Sequence, residues 1–73
     1  MLGKGHIVID RKVMGGKPVI KGTRVPVQVI LGGLAGGMTA REVSLEYRVT
    51  PADVKAALAY AAEAMAHLEV TAL

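Results

Sequence analysis

Hydrophobic residues recur along this chain at two different spacings, and the change falls at Pro26. Before it, aliphatic residues come in short runs: one from His6 to Asp10, a second from Pro18 to Lys21, with Met14-Gly15-Gly16 between them. Short runs of β-forming residues separated by turn residues predict the two strands of a hairpin. Gly22-Thr23 breaks the second run and Pro26 lacks an amide donor, so Arg24 to Val27 suits an edge strand or the lead into a helix. After Pro26 the period lengthens. Val27, Ile30, Leu31 and Leu34 fall on one helical face, and Gly36-Gly37 stop the helix because glycine accepts the left-handed conformation at a C-terminus. Gly32 and Gly33 inside it each cost about 1 kcal/mol relative to alanine, which makes this helix dependent on tertiary contacts.

Two N-capping signatures follow. Thr39-Ala40-Arg41-Glu42 has the form of a capping box, in which the threonine hydroxyl accepts the N3 amide and the glutamate reaches back to the amide of the cap. Thr50-Pro51-Ala52-Asp53 repeats that logic, with proline where a missing donor costs nothing and an acid at the positive end of the helix dipole. The predicted second helix is therefore short, Ala40 to Tyr47, and the turn Arg48-Val49 separates it from a longer third. In that third helix Val54, Ala57, Leu58, Ala61, Met65 and Leu68 form an apolar stripe at helical spacing and are expected to face the core. Val43, Tyr47, Val49, Val54 and Leu58 can close the angle between the two helices. Ala59, Ala62 and Ala66 lie off the stripe and form a smooth face suited to close helix contact. The layout predicts a mainly α fold, a three-helix helix-turn-helix with a short N-terminal β hairpin. That unit serves both as a DNA-reading device and as a plain architectural corner.

Composition narrows the picture. The chain has 73 residues, 52% of them hydrophobic and 21% charged, no cysteine, and only Tyr47 and Tyr60 as aromatics. This bounds it to one domain, 1–73, with a basic β element over 1–27 and a helical part over 28–68. A core built from small aliphatic side chains without disulfides is thin, and self-association as a homodimer is expected. No apolar run approaches the roughly 20 residues of a membrane span. The expectation is a cytoplasmic protein without a membrane partner. The net charge of +3 is unevenly placed: Lys4, Arg11, Lys12, Lys17, Lys21 and Arg24 face one acid, Asp10, in the first 26 residues, while the remainder holds five acids against three bases. Such asymmetry marks a surface that faces a polyanion, or else simply a solvated one.

Residues 15 to 63, from GGKPVIKGTRVPV to the alanine-rich segment that holds Ala57 to Ala61, closely resemble the bacterial domain of unknown function 433 family. Its hallmark G-K-P-V-I-x-G-T-R-[IV]-P-V stands here at Gly16 to Val27. The resemblance implies a small winged or homeodomain-like helix-turn-helix domain, similar to VapB-type antitoxins. It further implies a partner, a PIN-domain ribonuclease toxin, and binding to the chain's own operator.

From the residues themselves, the candidate DNA-binding set is Lys17, Lys21, Arg24, Arg41, Arg48, Thr50 and Lys55. Arg24 is read first as a corner residue that forks onto carbonyls or a carboxylate, and alternatively as a phosphate contact. Lys17 and Lys21 have no evident folding role and suit phosphate. The first turns of the third helix offer Thr50, Ala52, Lys55 and Ala56 but no Arg, Asn or Gln for bidentate base pairing, so contacts to the DNA backbone should dominate. Lys21-Gly22-Thr23 has the wrong order for a phosphate loop, His6 and His67 lack ligand spacing, and no nucleophile has a base at a suggestive position. Both histidines are expected at the surface. No enzyme, metal or cofactor is expected. The reading is an antitoxin-type DNA-binding regulator, and the alternative is an interaction module that binds a partner toxin or itself without touching DNA.

Overall fold

Residues 5–68 are described by the structure, a computed structural model. They fold as a two-stranded antiparallel hairpin, β1 (Ile7–Val8) and β2 (Val19–Ile20), followed by α1 (Val27–Ala35), α2 (Ala40–Tyr47) and α3 (Pro51–Leu68). This is the mainly α, three-helix architecture with an N-terminal hairpin that the spacing predicts. Helical structure starts at Val27, directly after Pro26, where the period changes. Lys4, counted among the N-terminal cations, lies outside the described residues, as do 69–73.

The hairpin pairs Ile7 with Ile20 and Val8 with Val19. Its ladder is shorter than the aliphatic runs because Asp10 leaves it. The Asp10 carboxylate accepts the Lys12 amide at 2.9 Å and its carbonyl accepts the Val13 amide at 2.8 Å, a local turn that competes with strand pairing. The chain reverses through a 3-10 turn at Met14–Gly16, where Gly15 (φ 67°) and Gly16 (φ 88°) supply left-handed backbone.

The hallmark segment folds back on itself. Ile20 donates its amide to the Val25 carbonyl and Val27 donates to Pro18, both at 2.9 Å, while Val19 forms a bridge with Pro26. Thr23 pins this loop: its hydroxyl donates to the Ile20 carbonyl at 2.8 Å and accepts the Val25 amide at 2.9 Å, with Gly22 at φ 79° just before it. The stretch Arg24 to Val27 thus combines both expected roles, since Pro26 bridges to β2 and is also the N-cap of α1.

At its other end α1 closes in a Schellman motif. Met38 donates its amide to Gly33 at 3.0 Å and Gly37 (φ 107°) donates to Leu34 at 3.1 Å. Gly33 also lets α2 come close: a Cβ there would stand 3.2 Å from both the Met38 sulfur and a Val43 methyl. The core gathers Ile20 from the hairpin, Val27 and Ile30 from α1, Val43 from α2, Val49 from the turn, and Val54 and Ala57 from α3.

The apolar stripe of α3 departs from expectation over its second half. Val54 and Ala57 are buried and Ala61 half-buried, but Leu58, Met65 and Leu68 are 46%, 62% and 70% exposed. Met65 and Leu68 lie on the same helical face as Val54 and Ala57. Met65 borders an open groove whose other wall is Pro18, Val27 and Leu31, and it does not pack against them. Ala56, expected at the surface, is buried instead.

Candidate functional site

The corner between α2 and α3 is built by local hydrogen bonds. Thr39 and Glu42 form the expected capping box at the start of α2: the Glu42 amide donates to the Thr39 hydroxyl at 3.0 Å and the Thr39 amide to Glu42 Oε1 at 2.8 Å. Eight residues later α2 ends on Arg48, whose backbone is left-handed at φ 56°, ψ 44°. Ser44 holds that turn at both ends. Its carbonyl accepts the Val49 amide at 3.1 Å and its hydroxyl donates to the Val49 carbonyl. Val49 is thereby turned into the core and Arg48 outward.

The second capping box opens α3. The Asp53 amide donates to the Thr50 hydroxyl and the Thr50 amide to Asp53 Oδ2, both at 3.0 Å. Asp53 carries a further contact: its Oδ1 lies 2.9 Å from His6 Nδ1, which ties the foot of the hairpin to the head of α3. Partial burial alone would raise the Asp53 carboxyl. Hydrogen bonding from His6, contacts with the Thr50 amide and hydroxyl, and the His6 charge outweigh that effect and hold it below the ordinary aspartate value.

The predicted contact residues fall into separate places. Arg48, Thr50 and Lys55 share the exposed corner with Pro51 and Ala52. Lys21 is exposed at the end of β2: its amide donates to the His6 carbonyl at 2.7 Å, and His6 in turn meets Asp53 at the head of α3. Arg24 sits exposed on the Thr23 loop and makes no fork contact with any carbonyl or carboxylate among the described residues, so the corner role falls to Thr23. Arg41 is exposed near the start of α2, about 10 Å along the axis from Arg48 at 1.5 Å per residue. Lys17 lies on the rim of a groove between α1 and the middle of α3, away from the corner.

Three participants escaped the sequence reading. His6, expected as a surface histidine, is half-exposed but bound to Asp53 across 47 positions, a pairing that no local spacing could signal. Thr23 and Ser44 act through turn geometry. A short polar residue beside a glycine or before a left-handed corner was the available hint.

The sequence model of the family described as "Protein of unknown function (DUF433)" matches residues 7–61, from the first strand to the middle of α3. The chain belongs to this family. A solved structure described as that of Rv2018 from Mycobacterium tuberculosis is similar over 78% of the chain, with a TM-score of 0.70 and 34% identity. The match takes up 27% of that longer protein, so in Rv2018 this fold is one part of a larger chain. An uncharacterized protein of Archaeoglobus fulgidus is 76% identical over 22 residues, which is 30% of this chain and 61% of that protein. Among the described residues no helix is long and apolar enough to cross a membrane.

Proposed function

We propose that this chain is an antitoxin-type DNA-binding regulator whose α2–α3 corner engages the phosphate backbone. One observation carries the reading. Arg48, an exposed cation, occupies a left-handed backbone position that glycine would take without steric cost. A non-glycine residue there costs roughly 1–2 kcal/mol, and strain held at a surface corner points to a role for the side chain.

The surroundings agree with that role. Lys21 and Lys55 lie on either side of the Asp53 carboxylate in the fold, and Asp53 is turned inward to His6 and Thr50, while Glu46, two residues before Arg48, stays exposed. Ala52 and Lys55 give little for base-edge readout, so specificity would come from DNA shape and from the spacing of two corners in a homodimer. Operator binding and a PIN-domain toxin partner belong to this reading through the family resemblance. The role is cytoplasmic and needs no catalysis, metal or cofactor. A second reading, a module that docks a protein partner without DNA, is favoured by the exposure of Met65 and Leu68 on α3.

Fluorescence anisotropy with duplex DNA from the chain's own upstream region separates the two. Three cations per chain, at about −0.9 per neutralised phosphate, predict a slope of log affinity against log salt of about −2.7 for each chain bound. Arg48→Gly should reduce that slope by about 1 while raising stability by up to about 1 kcal/mol. Unchanged affinity in Arg48→Gly, or no binding at low salt, overturns the regulator reading.

A further inference from the structure

The open end of the hairpin sets a histidine beside a lysine. The ladder pairs Ile7 with Ile20, so His6 and Lys21 are the next partners along it, and the Lys21 amide donates to the His6 carbonyl at 2.7 Å. Directly opposed residues of an antiparallel pair hold their side chains on one face, with Cβ atoms about 5 Å apart. Asp53 meets the same histidine, its Oδ1 lying 2.9 Å from Nδ1. An ionised carboxylate can only accept, so the ring carries a proton on Nδ1 even when it is neutral, and Nε2 is the nitrogen left over. Nε2 makes no hydrogen bond among the described residues, and the side chain keeps 44% of its surface in solvent.

We propose that His6 is a proton-linked phosphate contact: once the ring is protonated, its Nε2–H and the Lys21 ammonium together bind a phosphodiester of the DNA backbone. Lys21 alongside selects an anion over a metal ion at that nitrogen. The Asp53 contact makes the protonation state decisive. A neutral ring held in the Nδ1–H form turns a lone pair toward a phosphate oxygen and repels it, whereas the protonated ring turns a charged donor toward it. Without Asp53 the neutral ring could donate from Nε2 in its other tautomer, and the contact would respond less to pH. β1 packs on β2 and α3, and the charged groups these bring around His6 are Lys21 and, in the loop after it, Arg24, with Asp53 and Lys55 from α3. None of the three cations forms an ion pair among the described residues. The one acid is already engaged at both oxygens, Oδ1 by His6 and Oδ2 by the Thr50 amide, so an incoming phosphate does not displace it. The inference rests on the regulator reading, adds His6 to its contacts and makes its affinity for DNA depend on pH.

Fluorescence anisotropy of the full chain with duplex DNA from its own upstream region, at fixed ionic strength between about pH 8 and about pH 6, tests the proposal. Affinity should rise at least about tenfold as the pH falls, with uptake of up to about one proton per chain. His6→Gln should bind at every pH as weakly as the parent does at the alkaline end. His6→Arg keeps a donor for Asp53 and a permanent charge, and it should bind at every pH as tightly as the parent does at the acid end, which carries the test if His6→Gln fails to fold by circular dichroism. His67→Gln, at the exposed far end of α3, should leave the pH dependence intact. Nitrogen-15 NMR of the imidazoles in the free chain adds a readout that needs no DNA: the neutral His6 ring should be in the Nδ1–H form. A flat affinity profile, a profile that His6→Gln preserves, or a neutral His6 ring protonated on Nε2 overturns the proposal. Absence of binding at the acid end and low salt removes the regulator reading with it, whereas pH-independent binding that Arg48→Gly weakens removes the His6 contact alone.

Discussion

Two halves of α3 reach helical structure by different means. From Pro51 to Ala57 the helix has a proline at its first position, a capping box, a hydrogen bond from His6 and three buried side chains, Val54, Ala56 and Ala57. From Ala61 to Leu68 no side chain is fully buried, yet the helix continues. Four of those eight residues are alanine, the residue that loses least on becoming helical. Packing and capping hold the first half, and intrinsic propensity carries the second. A short stretch sustained by propensity alone is marginal in water. That is the physical reason to expect a partner over the second half and none over the first.

The largest test of this contrast is a charge placed in each half. Val54→Asp buries an unpaired carboxylate in the core and should cost at least about 3 kcal/mol, enough to unfold a domain of this size. Met65→Asp, in dilute solution, should stay within about 0.5 kcal/mol of the parent. Urea unfolding followed by circular dichroism reads both, and similar losses in the two variants would erase the distinction.

A smaller effect is expected at the head of the helix. Asp53→Ala removes the capping box together with the His6 contact and should cost about 1–2 kcal/mol. The folded carboxyl lies below its ordinary value, so its contribution is complete above the unfolded aspartate value near 4 and is lost as pH falls through the lower folded value. Stability of the parent should therefore decline on acidification below about pH 4 more steeply than that of Asp53→Asn. Parallel acid profiles for the two would show that the head of α3 is not held by this carboxylate.

What the sequence made legible follows the range of each interaction. Both capping boxes, the stop at Gly36-Gly37 and the onset after Pro26 are local, settled by residues within four positions of one another, and each lies where the pattern puts it. The β1 strand was overestimated because the Asp10 side chain ends the ladder early, a choice between two local bonds that alternation of side chains does not encode. Leu58, Met65 and Leu68 share the helical spacing of the core residues yet are exposed, because a 3.6-residue period identifies a face but not how closely neighbouring elements pack along it. The candidate contact set was partly dispersed for a related reason. Arg48, Thr50 and Lys55 are close in sequence and stay together, whereas Lys17 follows the hairpin to the groove and Arg41 the far end of α2. The His6–Asp53 contact needs the hairpin to dock first, and no spacing within either segment announces it.

Hydrogen exchange along α3 at low and high protein concentration measures the contrast directly. Amides from Val54 to Tyr60 should be protected close to the global stability at both concentrations. Those from Ala61 to Leu68 should exchange readily when dilute and gain protection when concentrated. Uniform protection along the whole helix, independent of concentration, would contradict the account.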